Sequence, residues 1–141
     1  MINRFNGNYA FLSNFHASPI TYEGIQYPTA EHAFQAAKAR TQEEKQYIAG
    51  LASPGLAKRA GRKVKLIENW DQKRVEIMTE IVRLKFTQNP ELAQQLLDTG
   101  DDELIEGNTW GDTFWGVCDG VGFNHLGSIL MQIRSELHRS K

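Results

Sequence analysis

The sequence has 141 residues and a formal net charge of -1, from 16 basic and 17 acidic side chains. This length suits one compact domain over residues 1–141, and the balanced charge argues against a protein built mainly for nucleic-acid binding, which usually carries a basic excess. Cys118 is the single cysteine, which excludes an intrachain disulfide and a multi-cysteine metal site. The lone thiol, the polar N-terminus and the lack of an apolar run near ~20 residues predict a cytoplasmic protein without a secretory signal or membrane span.

The first third of the chain predicts a β-hairpin followed by short helices. Ile20–Tyr22 and Ile25–Tyr27 are β-prone runs on either side of the two-residue turn Glu23-Gly24. Three helices follow, each introduced by a hydroxyl side chain that can cap it. They are a helix over residues 30–39 after Thr29, a helix from Thr41 to about Gly50 with Thr41 and Glu44 as a capping box, and a helix from Ser53-Pro54 to Gly61.

The rest of the chain predicts more helix, one strand and a long loop. Asn69 is the expected cap of a helix from Trp70 to about Gln88, whose apolar residues recur at helical spacing. The further predicted elements are a helix from Pro90 to Asp98, a strand over Leu104–Glu106, a loop over Gly107–Gly122, and a last helix that begins at Asn124 or His125. The predicted fold is therefore α+β, a single mostly helical domain with a few short N-terminal and central strands.

The first predicted helix carries four chemically useful side chains on one face. The helical period groups offsets 0, 3, 4 and 7, which are Glu31, Phe34, Gln35 and Lys38. A carboxylate, an aromatic ring, an amide and an amine in one place suit acid–base catalysis, stacking and polar recognition. Spacing alone favours the structural alternative, in which Glu31 is a solvated acid in the first turn of the helix.

The loop over Gly107–Gly122, called the Trp loop below, is the second unusual segment. Five glycines in this stretch destabilise regular structure and indicate a loop whose backbone approaches a ligand closely. Asp112 and Asp119 offer carboxylates, while Trp110 and Trp115 offer surfaces on which a planar base can stack. An equally good interpretation is a tight loop that covers the core with its tryptophans packed beneath.

Other polar residues give weaker signals. The four histidines lack the spacing of a paired zinc site, so no metal is expected. Cys118 is interpreted as a buried free thiol. A local basic cluster is interpreted as a solvated charged face in preference to a phosphate site. Its members are Lys58, Arg59, Arg62, Lys63 and Lys65.

Five ordered motifs together resemble the NADAR family over about Phe5 to Arg134. The motifs are Phe11-Leu12-Ser13-Asn14-Phe15, Pro28-Thr29-Ala30-Glu31-His32-Ala33-Phe34-Gln35-Ala36-Ala37-Lys38, Asn69-Trp70, Asp112-Thr113-Phe114-Trp115-Gly116, and Asn124-His125-Leu126-Gly127 with Leu130-Met131-Gln132-Ile133-Arg134. The resemblance implies a mostly helical α+β fold and hydrolysis of N-glycosidic bonds without a cofactor. It implies a small ribosylated substrate, either a reactive pyrimidine intermediate of riboflavin biosynthesis, as for YbiA-like members, or ADP-ribosylated guanine, with nucleic acid engaged only in that second form.

The resemblance also assigns roles to positions of this sequence. By position, Glu31 and Asp112 match acidic residues of the family. We expect them to be the working carboxylates, one acting on water or the sugar cation and the other on the ribose hydroxyls, with Glu31 as the catalytic one. Lys38 is expected either to bind phosphate or to attack the opened sugar as an amine. The expected substrate-binding residues are Asn14, Phe15, Phe34, Gln35, Trp70, Trp115 and Asn124. The competing hypothesis is a module that binds ADP-ribose, NAD or a similar nucleotide without turnover.

Overall fold

The computed structural model describes residues 1–140 and is mostly helical, with a few short strands. The predicted α+β class is therefore confirmed. The chain divides into two compact units. The central unit is Asn14–Asn89, and the terminal unit is Met1–Ser13 with the chain from Pro90 onward. No helix within residues 1–140 is long and apolar enough to cross a membrane.

The central unit begins with the predicted hairpin and continues with four helices. Strands β1 (Ile20–Tyr22) and β2 (Ile25–Tyr27) pair antiparallel, with Ile20 opposite Tyr27. Glu23 and Gly24 both have positive φ, at 49° and 85°, as a tight two-residue hairpin turn requires. The helices are α1 (Ala30–Ala37), α2 (Gln42–Ala49), α3 (Pro54–Gly61) and α4 (Trp70–Gln88).

The predicted caps of the first three helices are confirmed. The hydroxyls of Thr29, Thr41 and Ser53 each accept a hydrogen bond from the backbone N–H three residues later. At α2 the Thr41 hydroxyl also donates to Glu44 Oε1 at 3.2 Å. Helix α1 ends at Ala37, two residues before the predicted end. All eight of its residues are buried, because α1 packs against α2, α3, α4 and the hairpin.

The terminal unit contains the remaining elements. They are a 3-10 helix (Gly7–Leu12), α5 (Pro90–Asp98), β3 (Gly107–Asn108), β4 (Val117–Cys118) and α6 (His125–Arg139). Helices α5 and α6 pack together through buried leucine and isoleucine side chains. Strands β3 and β4 run parallel, which places the start of the Trp loop beside its Val117–Cys118 segment.

Two local predictions are wrong. The predicted strand Leu104–Glu106 is only a single parallel bridge between Leu104 and Ile2, and the true strand lies one residue further on, at Gly107–Asn108. The bridge partner of Leu104 is Ile2, about a hundred residues away in sequence, so local β propensity could not locate this pairing. The second concerns Asn69, which precedes α4 but adopts left-handed backbone geometry and makes no side-chain cap. The last helix begins at His125, as predicted.

Candidate active site

Glu31 is a buried carboxylate held at the start of α1. Its backbone N–H donates to the carbonyl of Asn14 at 3.0 Å, and the residue is only 8% exposed. His32 locks the same turn, because its Nδ1 lies 2.7 Å from Thr29 Oγ1 and its Nε2 lies 3.0 Å from the carbonyl of Leu51. The interpretation of Glu31 as a solvated first-turn acid is therefore wrong. A carboxylate is rarely buried without specific hydrogen bonds.

Gln35 lies one turn after Glu31 and supplies such a bond. Its Nε2 donates to Glu31 Oε2 in a short hydrogen bond of 2.6 Å. Gln35 is itself 4% exposed. The amide thus fixes one oxygen of the carboxylate in a buried environment, where electrostatic effects are stronger than in bulk water.

An aromatic pair lies beside this carboxylate. The rings of Phe34 and Trp70 are 5.2 Å apart at 51°, and both residues are buried. Lys38, directly after α1, places its Nζ 5.8 Å from the Phe34 ring and 5.9 Å from the Trp70 ring. The helix face predicted from spacing is confirmed as one group. We call Glu31, Phe34, Gln35, Lys38 and Trp70 the α1 cluster.

The electrostatic surroundings of Lys38 are mixed. Burial lowers the pKa of the Lys38 amine below its ordinary value, and the charge of Glu31 opposes that shift. Three further cations lower the pKa again: Arg62 and Lys58 from the α3 region, and Arg74 from α4. The charges acting on this amine are one anion and three cations, an arrangement that favours a substrate with an anionic group.

Two members of the predicted basic cluster, Lys58 and Arg62, lie close enough to Lys38 to affect its pKa. Arg62 is exposed and Lys58 half-buried, so the solvated interpretation describes their exposure, yet both also act on the α1 cluster. Arg74 was missed by sequence reasoning, although it follows Trp70 by one helical turn and so shares its face of α4.

The first motif places Asn14 and Phe15 differently. Asn14 is buried, and its Nδ2 contacts the sulfur of Met78 at 3.4 Å. Its backbone carbonyl accepts the hydrogen bond from the Glu31 N–H. Phe15 is 45% exposed. Asn14 therefore contacts the backbone that carries the catalytic candidate, and its predicted contact with substrate stays a prediction, as does that of Phe15.

In the terminal unit, Asp112 organises the Trp loop. Its Oδ1 accepts from the backbone N–H groups of Phe114 at 3.1 Å and Trp115 at 2.9 Å. Asn108 brackets Asp112 from the other side, accepting from its N–H at 3.0 Å and donating to its carbonyl at 2.9 Å. Asp112 thus has a structural role that sequence reasoning missed. Its predicted catalytic role stays a prediction.

Asn124 and Trp115 also support this loop. The Asn124 amide accepts from the N–H of Glu106 at 2.9 Å and donates to the carbonyl of Leu104 at 3.0 Å. Trp115 is half-buried and meets Phe114 edge-on, with ring centroids 4.8 Å apart. These contacts tie the loop to the chain before it. The predicted substrate contacts of Asn124 and Trp115 remain predictions.

Exposure corrects two interpretations of the Trp loop. Trp110 is 64% exposed, so it is not packed beneath the loop, and Cys118 is half-buried instead of buried. Close packing within the protein explains some of the glycines of the Trp loop. A side chain at Gly107, Gly116 or Gly122 would overlap the chain's own atoms, whereas Gly111 and Gly120 face open space.

Comparison with known proteins agrees with the motifs. A family model described as the NADAR domain matches residues 3–138. The chain belongs to the NADAR domain family. The N-glycosidase YbiA of Escherichia coli (strain K12) is 38% identical over 133 residues, which cover 92% of this chain and 82% of that protein.

A second relative and a solved structure extend the comparison. A riboflavin biosynthesis protein of Vibrio vulnificus is 42% identical over 133 residues, although these make up only 36% of that longer protein. The NMR structure of Escherichia coli YbiA matches with a TM-score of 0.85 at 36% identity, covering 99% of this chain and 88% of that chain. The fold of this NADAR protein is therefore that of YbiA.

Proposed function

We propose that this NADAR protein is an N-glycosidase that hydrolyses the bond between a nitrogen base and a ribose. The observation that carries the proposal is the buried Glu31 carboxylate, bonded to Gln35 and close to an aromatic pair and an amine with a lowered pKa. Relatives named N-glycosidase support the same chemistry. The lone cysteine favours a reducing compartment, so we place the reaction in the cytoplasm.

Cleavage of an N-glycosidic bond builds positive charge at the anomeric carbon and negative charge on the departing base. In our scheme Glu31 stabilises the sugar cation and orients the attacking water. The carboxylate is suited to this because it is buried and the Gln35 amide holds one of its oxygens in place. Phe34 and Trp70 supply the flat apolar surface on which the base rests.

Lys38 has two candidate roles in this scheme. Its lowered pKa raises the fraction of neutral amine at neutral pH, which is the form that attacks an opened sugar to give a Schiff base. Its cationic neighbours favour the alternative, in which the protonated amine holds a phosphate of the substrate. Borohydride reduction during turnover separates the two, because only the first traps a covalent adduct that Lys38→Arg abolishes.

The proposed substrate is a ribosylated pyrimidine with a phosphate on its sugar. The cations around Lys38 fit a phosphate, and a relative is named for riboflavin biosynthesis. ADP-ribosylated guanine is the second candidate, since it also carries phosphates beside an N-glycosidic bond. Incubation with each compound, followed by mass spectrometry of the released base, identifies the substrate.

A matched pair of variants tests the role of Glu31. Glu31→Gln keeps the shape and removes the charge, so we expect kcat to fall by roughly 10²–10⁴-fold in a folded protein. Glu43→Gln is the control, because Glu43 occupies the same first-turn position in α2 but is exposed. Normal turnover in folded Glu31→Gln would remove Glu31 from the mechanism. Calorimetric binding of either substrate to the wild type without release of base would support the non-catalytic binding module.

A further inference from the structure

Gly61, the last residue of α3, is a glycine without a backbone reason. Glycine often ends helices because it adopts a left-handed conformation, but Gly61 is helical and its φ is not positive. It is also buried, and a helical glycine costs roughly 1 kcal/mol relative to alanine. The reason for a glycine at position 61 must therefore be that its surroundings leave no room for a side chain.

The reason is the side chain of Gln35 on the neighbouring helix α1. A Cβ at Gly61 would overlap Gln35 Oε1 and lie 2.8 Å from its Cδ. Alanine at this position would force the Gln35 amide away from its present place. Gly55, in the same helix, meets nothing closer than Ser53 Oγ at 3.8 Å.

The Gln35 amide is oriented so that its nitrogen is hydrogen-bonded and its oxygen is not. Its Nε2 donates to Glu31 Oε2, while its Oε1 is buried with no hydrogen-bond partner among the protein groups of residues 1–140. An unsatisfied buried acceptor costs roughly 1–3 kcal/mol. Turning the amide over would place Oε1 against the carboxylate oxygen, which repels it. The amide therefore keeps the orientation that serves Glu31 at the expense of its own carbonyl.

We propose that Gly61 and Gln35 are positioning residues for Glu31. The absence of a side chain at Gly61 leaves room for the Gln35 amide, and this amide holds the Glu31 carboxylate in place. Neither residue needs to touch the substrate in this arrangement. The inference rests on the proposed role of Glu31 and reassigns Gln35, which was predicted from the sequence to be a substrate-binding residue. It also adds a residue of α3 to the machinery on α1.

The consequence is that a single methyl group on α3 impairs the reaction. Loss of a hydrogen bond to a charged group and slight displacement of the carboxylate predict a fall of about 10- to 100-fold in kcat for Gly61→Ala, with KM little changed. Because the carboxylate loses a donor, its charged form is less favoured and the acid limb of the pH profile of kcat/KM moves to higher pH. Lys38 and its neighbouring cations are unchanged in this variant.

The experiment is a double-mutant cycle in the full chain with Gly55→Ala as the matched control. Gly61→Ala should lower kcat and move the acid limb, and Gly55→Ala should do neither. Gln35→Ala removes the amide that the new methyl group meets, so adding Gly61→Ala to it should cost little more. Full additivity, or a folded Gly61→Ala with the kcat and pH profile of the wild type, would overturn the proposal. If Gly61→Ala does not fold, Gln35→Met provides the test, because it also removes the amide donor and should move the acid limb of the pH profile of kcat/KM to higher pH. An acid limb at the wild-type position in Gln35→Met would overturn the proposal.

A readout independent of turnover separates this inference from the proposed function. The Glu31 carboxyl can be titrated by ¹³C NMR in the wild type, Gly61→Ala and Gly55→Ala. A titration that moves to higher pH only in Gly61→Ala supports the positioning role even if no base is released from any substrate. In that case the proposed function fails and the positioning pair stands, whereas an unmoved titration overturns the pair.

Discussion

Lys85 offers a quantitative test of the packing of the central unit. This residue of α4 is fully buried, with its Nζ 5.2 Å from the centre of the Phe86 ring. Burial lowers the pKa of the Lys85 amine from 10.5 to about 7, because the charged form loses its hydration. The perturbation is Lys85→Met, which keeps most of the length and apolar volume of the side chain and removes the titrating group.

The sign and size of the Lys85 contribution to the free energy of unfolding follow from the linkage between protonation and folding. Between about pH 8 and 9.5 the unfolded chain keeps the Lys85 proton and the folded protein has lost it, so the contribution of Lys85 to stability rises with pH. The rise is about 1.4 kcal/mol per pH unit, or roughly 2 kcal/mol over this range. Over the whole interval from about 7 to 10.5 it amounts to roughly 5 kcal/mol.

Urea unfolding at a series of pH values measures this effect. We expect the free energy of unfolding of Lys85→Met, relative to wild type, to fall by roughly 2 kcal/mol between pH 8 and 9.5. Lys73→Met is the control, since Lys73 is exposed on the same helix. Parallel stability curves for wild type and Lys85→Met would refute the argument, because they would mean that Lys85 keeps its proton in the folded protein.

Three shorter predictions follow. Burial, and then the charge of Lys85, lowers the pKa of His16, so in Lys85→Met an NMR titration should place that pKa closer to 6.5. Asp112→Ala loses both loop bonds and should cost about 1–3 kcal/mol of stability in urea unfolding, while Asp112→Asn keeps the acceptor and should stay close to wild type. In folded Asp112→Asn, the predicted catalytic role requires a large fall in kcat, and unchanged kcat would assign Asp112 to structure alone. Trp70→Leu should raise KM more than it lowers kcat in steady-state assays, because the ring against Phe34 is lost, and an unchanged KM would remove Trp70 from the proposed base surface.

The candidate site was partly predictable because helical spacing is a local property. The period of 3.6 residues put Glu31 and Lys38 on one face, and α1 realises that face as a cluster. The partners from elsewhere carry no such local signal. Gly61 lies 26 residues after Gln35 in the sequence, and only the packing of α3 on α1 explains why a glycine stands there.

The sequence by itself determined where α1, α2 and α3 begin, since a hydroxyl cap acts on an N–H group only three residues away, as at Thr29 and Ser53. It also determined the hairpin, through a turn that needs two residues with positive φ. Tertiary structure alone decided that Glu31 is buried and that Leu104 pairs with Ile2. Burial and long-range pairing depend on which distant segments pack together, and a residue's neighbours in sequence do not specify that choice.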